Sequence, residues 1–185
     1  MAIRLAEEGG FENVRQRDVA AQAGVALGTL YKSFRGKEEI LSAALERETN
    51  TTEKRLERRP ASGDTPAIRL ASLFHILTRT MCKKPNYARA VLRAMASGEP
   101  ETAANVTAHQ SHVTNMVVAA MRGPGGDDLK AEPPTQIETD VCFLLTQVWF
   151  ASMVGWSAKL HGQAKVVEQM AVASEWLLRG AGIET

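Results

Sequence analysis

Apolar positions recur along this chain at three- and four-residue intervals, and no stretch alternates with period two. That pattern predicts helices throughout and an all-helical fold. The breaks between periodic runs are few: Gly9-Gly10, Gly24, Gly36, RPASGDTP at 59–66, Lys84-Pro85-Asn86, SGEP at 97–100, GPGGDD at 123–128 and EPPT at 132–135. They delimit helices predicted at 3–8, 15–23, 27–34, 37–57, 67–82, 86–97, 101–122, 135–161 and 164–179. Short helices with tight turns precede the break at 59–66, and longer, more apolar ones follow it. The chain therefore reads as a small N-terminal module, residues 1–45, joined to a helical body, residues 46–185.

Within the module, a short helix ending at Gly24, a turn of a few residues and a second short helix form the layout of a helix-turn-helix. Val19, Ala20, Val25, Leu30 and Phe34 are spaced to pack the second helix on the first. With those positions inward, Thr29, Tyr31, Lys32 and Ser33 are left outside, where a hydroxyl, a phenol and an ammonium suit phosphate oxygens and base edges. Lys37 opens the next helix, where free backbone N–H groups would assist a phosphate contact.

Charge sharpens this picture only locally. The whole chain carries 22 basic and 21 acidic residues, a net charge of +1. Residues 11–37 carry five basic side chains (Arg15, Arg17, Lys32, Arg35, Lys37) against two acidic ones (Glu12, Asp18), a local excess of +3. That is the local footprint expected for double-stranded DNA. Apolar residues at 44% and charged ones at 23% fit a globular chain rather than a disordered one.

Residues 10–41, GFENVRQRDVAAQAGVALGTLYKSFRGKEEIL, resemble the DNA-binding domain of the TetR family of bacterial repressors in the order and spacing of G-F, R-D-V-A, A-G-V, G-T-L-Y, F and G-K-E-E. The resemblance implies that 27–34 is the recognition helix, that Thr29, Tyr31 and Lys37 contact phosphates, and that Lys32 with Ala26, Leu27 and Gly28 faces the bases. Arg15 and Arg17 complete the expected DNA-facing set. Two departures stand out. The family's capping Ser or Thr is replaced by Arg15, although Asp18 is kept, so the first helix of the motif is expected to start without a side-chain cap. The family's first helix is normally longer than the residues before Gly9 allow, so the natural chain is expected to begin earlier.

The body adds a second expectation. Residues 141–156 are apolar almost all round, and a helix of that kind must be covered on every side. One side can meet the chain's own helices and the other a second subunit, with Ala151, Gly155, Ala158 and Ala171 permitting close approach and Trp176 at the same interface. The resemblance implies the same homodimer, in which the last two helices of each subunit form a four-helix interface. Interrupted by Thr146, Gln147, Ser152 and Gly155, the run reads as too short and too polar for a membrane span, and no membrane association is expected. The N-terminus, with Arg4, Glu7 and Glu8, has no apolar signal segment, which together with the bacterial family points to a cytoplasmic protein.

Adaptable apolar side chains suit a pocket for a large apolar inducer: Phe74, Leu77, Met81, Leu92, Met95, Met116, Phe143, Trp149, Phe150 and Met153, with Gln147 orienting a polar head. GVALGTLY and Val148-Trp149 with Trp156 seven residues later are similar to the KstR-type branch of the family, repressors of sterol catabolism. That resemblance implies a coenzyme A thioester inducer. The alternative for the body is a surface that binds a partner protein and admits no small molecule.

Catalytic and metal chemistry find little support, and no cofactor is expected. Cys82 and Cys142 are far apart and form no CxxC or Cys/His cluster. His109 and His112 lie three apart on a predicted helix, but no carboxylate joins them at helical spacing, so they read as solvated histidines. GPGG at 123–126 lacks the Lys-Ser/Thr of a phosphate loop. The chain is expected to be a regulator rather than an enzyme.

Overall fold

A computed structural model describes residues 1–123 and 132–183, so the GPGGDD segment beyond Gly123 lies outside the described residues. The described residues are helical throughout, with no strand among them. The helices are α1 (Ala2–Gly9), α2 (Gln16–Ala23), α3 (Leu27–Ser33), α4 (Lys37–Arg58), α5 (Pro66–Cys82), α6 (Pro85–Met95), α7 (Ala103–Arg122), α8 (Gln136–Ser157) and α9 (Gln163–Gly180). Single 3₁₀ turns occur at Phe11–Asn13 and Pro100–Thr102.

Two compact units divide the chain, and not at residue 45. One comprises Met1–Asn50 and Met81–Gln110; the other comprises Thr51–Thr80 and the described part of Ser111–Thr185. The expected boundary falls inside α4, and the helix-turn-helix shares its unit with α6. The reason is packing. Tyr87, Ala90, Val91 and Ala94 of α6 enter the same apolar cluster as Leu5 and Ala6 of α1, Val19 and Ala20 of α2, Leu30 of α3, and Ile40, Leu41 and Leu45 of α4.

Side chains from neighbouring elements satisfy several helix ends in this first unit. The N-cap of α6, Lys84, makes no side-chain cap bond. Instead the backbone N–H groups of Asn86 and Tyr87 both donate to Glu7 Oε2 at 3.0 Å, and Asn86 Nδ2 donates to the Glu7 carbonyl at 2.9 Å. A carboxylate there answers both the orphan donors and the positive end of the helix dipole. Thr49 Oγ1 donates to the Leu45 carbonyl at 2.8 Å and so accepts from His109 Nδ1, also 2.8 Å away, which places the proton on that ring nitrogen.

In the second unit the core is built on Leu70, Leu73, Phe74 and Leu77 of α5, Val113, Met116 and Val117 of α7, Val141, Leu145, Trp149 and Met153 of α8, and Val166, Met170 and Leu178 of α9. Phe74 and Trp149 meet at 5.9 Å between ring centroids in a tilted arrangement, and Trp149 Nε1 donates to Thr78 Oγ1 at 2.9 Å. The buried Arg69 guanidinium donates to the carbonyls of Ala120 and Met121 at 2.7 and 2.8 Å, closing the C-terminal end of α7. His112 Nδ1 pairs with Glu53 Oε2, and Glu53 Oε1 accepts from Asn115 Nδ2 at 2.8 Å. The two histidines are therefore held by α4 rather than solvated; their carboxylate and hydroxyl partners come from a helix about sixty residues away, where helical spacing could not show them.

By length and composition α8 is also apolar enough to cross a membrane, with mean hydropathy 1.3 over eighteen residues. This departs from the expectation of a run too short to span. The helix extends from Gln136, well before the apolar run at 141–156, and so gains length. Its buried face, Val141, Cys142, Leu145, Trp149, Ser152 and Met153, belongs to the core of the second unit. Thr135 and Glu138 form a reciprocal capping box at its start, and Arg122 Nε and Nη2 donate to the two Glu138 oxygens at 2.7 and 2.8 Å. The Arg122 guanidinium, followed by the Thr135 backbone and hydroxyl, pulls the Glu138 carboxyl from 4.5 to about 2.

Because the folded value lies below the unfolded one, the stabilisation by Glu138 is complete above about pH 4.5 and is lost as the pH falls through about 2. Glu138→Gln is expected to lower stability at pH 7 by about 1–2 kcal/mol, since the pair keeps some solvent contact. The gap between wild type and variant should close between pH 4.5 and 2 in denaturant titrations. A gap that stays constant to pH 2 would refute this role.

Candidate nucleic-acid interface

Helix α2 ends in a Schellman motif. Gly24 sits in the left-handed region at φ 68°, ψ 28°; Val25 N–H donates to the Ala20 carbonyl at 3.1 Å and Gly24 N–H to the Ala21 carbonyl at 3.3 Å. This reverses the chain into α3 within the residues Gly24 to Ala26. At the other end of α2, Arg15 is extended at φ −96°, ψ 133° and makes no side-chain cap, as its side chain requires. Gln16 Nε2 instead donates to the Phe34 carbonyl at 2.8 Å, tying the start of α2 to the end of α3.

The two faces of α3 separate cleanly. Leu30 is buried, with Leu27 and Phe34 partly buried against the same cluster. Ala26, Gly28, Thr29, Tyr31 and Lys32 are exposed, Tyr31 at 53%. Two expectations shift. Val25, expected inward, is 41% exposed, because the tight turn at Gly24 aims it away from the cluster. Leu27, expected to face bases, packs inward because it lies three residues before Leu30 on the same helix face. A Cβ placed on Gly28 would meet nothing within 4 Å, so nothing within the chain demands glycine at this exposed helical position.

The basic residues divide in a similar way. Arg15 and Arg17 are exposed beside the start of α2, Arg17 Nε lying 3.5 Å from Asp18 Oδ1. Lys37 is less free than its position suggested: its Nζ lies 2.6 Å from Glu12 Oε2 and 4.1 Å from the centroid of the Phe11 ring. Part of the local charge excess is thus paired within the unit. Sequence reasoning counted Glu12 only as a negative charge. The lysine that it meets is twenty-five residues away, and no local spacing signals the pairing.

The expected ligand residues do not fall together. Phe74, Leu77, Met116, Trp149 and Met153 are buried in the second unit, with Phe150 half-buried there. Met81, at the end of α5, and Met95 of α6 instead pack against the cluster that supports the helix-turn-helix, and Leu92 is buried in the same unit, because that unit takes in residues 81–110. Phe143, at 60% exposure, and Gln147 lie on the outer face of α8 with Leu144, Val148, Ala151 and Val154, and Ala158 just after the helix is exposed too. That exposed face, with Val172 and the 70% exposed Trp176 of α9, is the one expected for dimerisation. Gly155 serves a different contact: a Cβ there would sit 2.5 Å from His161 Nε2 in the turn after α8, so the glycine admits the chain's own imidazole. Ala171 faces a groove of about 480 Å³ that it lines with Thr65, Ala67, Ile68, Ala71, Glu175 and Arg179.

A short, buttressed helix with polar groups outward, entered through a glycine turn, defines a helix-turn-helix protein. The chain belongs to the TetR family: residues 1–44 match the model for bacterial regulatory proteins of the tetR family, and residues 63–177 match the tetracyclin repressor-like C-terminal domain. Over 176 residues it is 28% identical to the HTH-type transcriptional repressor KstR of Mycobacterium tuberculosis, covering 95% of this chain and 76% of that protein. Its fold is similar to that of a TetR transcriptional regulator from Rhodococcus sp. RHA1, with TM-score 0.83, 21% identity and coverage of 96% and 91% of the two chains. It is also similar to that of Thermus thermophilus FadR, a TetR-family repressor solved with lauroyl-CoA, with TM-score 0.74, 19% identity and coverage of 97% and 90%.

The left-handed Gly24 and the buried Leu30 each yield a prediction. Gly24→Ala should cost about 1–2 kcal/mol, the penalty of a Cβ in that region. Leu30→Ala should cost about 2–5 kcal/mol through the lost burial and the cavity left behind. Both are read by urea denaturation followed by circular dichroism; a Leu30→Ala loss below about 1 kcal/mol would show that α3 is not anchored by this side chain.

Proposed function

We propose that this regulator is a homodimeric repressor whose α3 enters the major groove of operator DNA and which leaves the operator when a large apolar ligand, an acyl-coenzyme A thioester, binds the body. The observation that carries the DNA part is the clean separation of α3 into an anchored Leu27/Leu30/Phe34 side and an exposed Gly28/Thr29/Tyr31/Lys32 side. Hydroxyl and phenol groups at Thr29 and Tyr31 fit phosphate oxygens, and the Lys32 ammonium fits guanine acceptors. Arg15, Arg17 and Lys37 lie at the two ends of the motif and extend the phosphate contacts. The unclaimed space at Gly28 allows the DNA backbone or a base edge to come close.

One α3 contacts few base pairs, so two copies reading half-sites about 34 Å apart supply useful specificity. The exposed apolar face of α8 and α9 supports such a dimer, since a second copy would remove Phe143, Val148, Val154, Val172 and Trp176 from water. The same covering explains the apolar face without a membrane, consistent with a cytoplasmic protein. The ligand reading is supported by the lauroyl-CoA bound in the similar Thermus thermophilus FadR, and the repressor reading by the 28% identical transcriptional repressor KstR. In this chain it draws on the Phe74, Leu77, Met116, Trp149, Phe150 and Met153 side chains of the second unit. Full release needs roughly 10⁴-fold preference for the released state.

Gly28→Ala separates folding from binding. It should raise stability by about 0.5–1 kcal/mol, as for any exposed helical glycine, yet weaken DNA binding. Unchanged DNA affinity would remove the close approach at this position. Thr29→Ala and Tyr31→Ala should weaken binding to all duplexes while leaving the salt slope nearly unchanged, since neither side chain carries a charge, whereas Lys32→Ala should relax preference at one base position by about 1–3 kcal/mol. In thermal-shift and anisotropy titrations, lauroyl-CoA should raise the melting temperature and release DNA while coenzyme A alone does neither. A body that melts identically with both would sink the ligand reading but leave the DNA reading intact.

A further inference from the structure

Around Phe11 the structure assembles a charged cluster beside the helix-turn-helix. The Phe11 ring is buried in the core of the first unit, and two cations lie over it, Lys37 Nζ and Arg93 Cζ, each 4.1 Å from the ring centroid. Between them the Glu12 carboxylate is divided: Oε2 lies 2.6 Å from Lys37 Nζ and Oε1 lies 3.0 Å from Arg93 Nη2. Lys37 opens α4, Arg93 sits on the last turn of α6, and Glu12 is in the 3₁₀ turn before α2, so three separate elements meet at one carboxylate. The Lys37 hydrogen bond above all, with the charge of Arg93 beside it, holds the Glu12 carboxyl below the usual carboxylate range, so it is an anion wherever DNA binds.

We propose that Glu12 acts as an intramolecular stand-in for a DNA phosphate on Lys37, and that Arg93 of α6 sets how strongly it does so. The inference rests on the reading above that Lys37 contacts DNA. A phosphate approaching Lys37 meets a site already holding an anion and must share the ammonium with Glu12 or displace it. An ammonium has three donors, so sharing is chemically open, but the two anions repel each other. The Glu12 side chain is 68% exposed, which makes the pair a weak competitor: it tunes affinity without blocking binding. Arg93 draws on the same carboxylate from the other side and leaves less of its charge for Lys37. Its backbone is well placed for this, since α6 buries Tyr87, Ala90, Val91 and Ala94 in the shared cluster and has its N-terminus capped by Glu7 of α1. A shift of α6 that lengthens the Arg93–Glu12 contact returns the carboxylate to Lys37 and weakens the phosphate contact, which gives the helix a graded electrostatic influence on DNA affinity.

The experiment is a double-mutant cycle on the full chain, read by fluorescence anisotropy with a mixed-sequence duplex at several salt concentrations. Glu12→Gln keeps the side-chain shape and removes the charge. It should tighten binding about two- to five-fold, the range of an exposed ion pair, and steepen the salt slope by up to about one. In a Lys37→Ala background the same change should have no effect. Arg93→Ala should weaken binding by a similar factor in the wild-type background and by nothing in the Glu12→Gln background, and Arg93→Lys should restore it. If the Glu12→Gln gain persists without Lys37, Glu12 acts by general repulsion of DNA and the proposal is overturned. If the Arg93→Ala loss persists without the Glu12 charge, Arg93 contacts DNA itself and its assigned part is overturned. If Lys37→Ala alone changes neither affinity nor salt slope, the failure lies in the DNA contact of Lys37, and the proposal falls with it.

Discussion

Helices of eight and seven residues do not persist in water, because the cost of nucleating a turn is not recovered over so few hydrogen bonds. Everything that α2 and α3 do therefore depends on the apolar cluster that holds them. Leu30 is the one side chain that α3 buries fully, with Leu27 and Phe34 beside it, and this contact sets the rotation of the helix. Once that rotation is set, the direction of Thr29, Tyr31 and Lys32 follows from the helical repeat alone. The cluster also explains why the unit that contains the helix-turn-helix takes in residues 81–110. Without Tyr87, Ala90, Val91 and Ala94 the inner faces of α1 and α4 would lose much of their cover.

A second theme is how the helix ends are closed. Met1, Arg15, Ala26, Lys84 and Gly162 all stand at N-cap positions without a side-chain cap bond, whereas Thr65 and Thr135 cap their own helices through their hydroxyls, Thr65 Oγ1 accepting from Ile68 N–H at 3.3 Å. Orphan backbone groups must still find partners. Glu7 reaches from α1 to the N-terminus of α6, Gln16 reaches from α2 to the carbonyl of Phe34 just after α3, and Arg69 reaches from α5 to the end of α7. Closing a helix with a side chain from another element joins the two, and at α6 the missing local cap is replaced in this way by Glu7 of α1.

Much of the fold was legible because its signals are local. Gly24 at a helix end, Arg15 at an uncapped start and the three- and four-residue spacing of apolar residues each act within a few residues, and the structure places them as read. Legibility failed where the pattern carried no phase. Helix α8 is apolar almost all round, so nothing along the chain separated the buried Leu145 and Trp149 from the exposed Phe143 and Gln147. It failed again at α6, whose apolar residues looked like pocket lining but share the cluster that holds the helix-turn-helix.

The sequence by itself determined the class of fold, the helix-turn-helix, its outward Thr29, Tyr31 and Lys32, and family membership, since all of these follow from periodicity and from short motifs whose residues interact with near neighbours. Only the tertiary structure decided that Lys37 shares Glu12 with Arg93, that His109 and His112 are held by Thr49 and Glu53, and that Gly155 makes room for His161. Most of these contacts join residues far apart in the chain. Their geometry is fixed by where whole helices pack, and a local pattern contains no information about that.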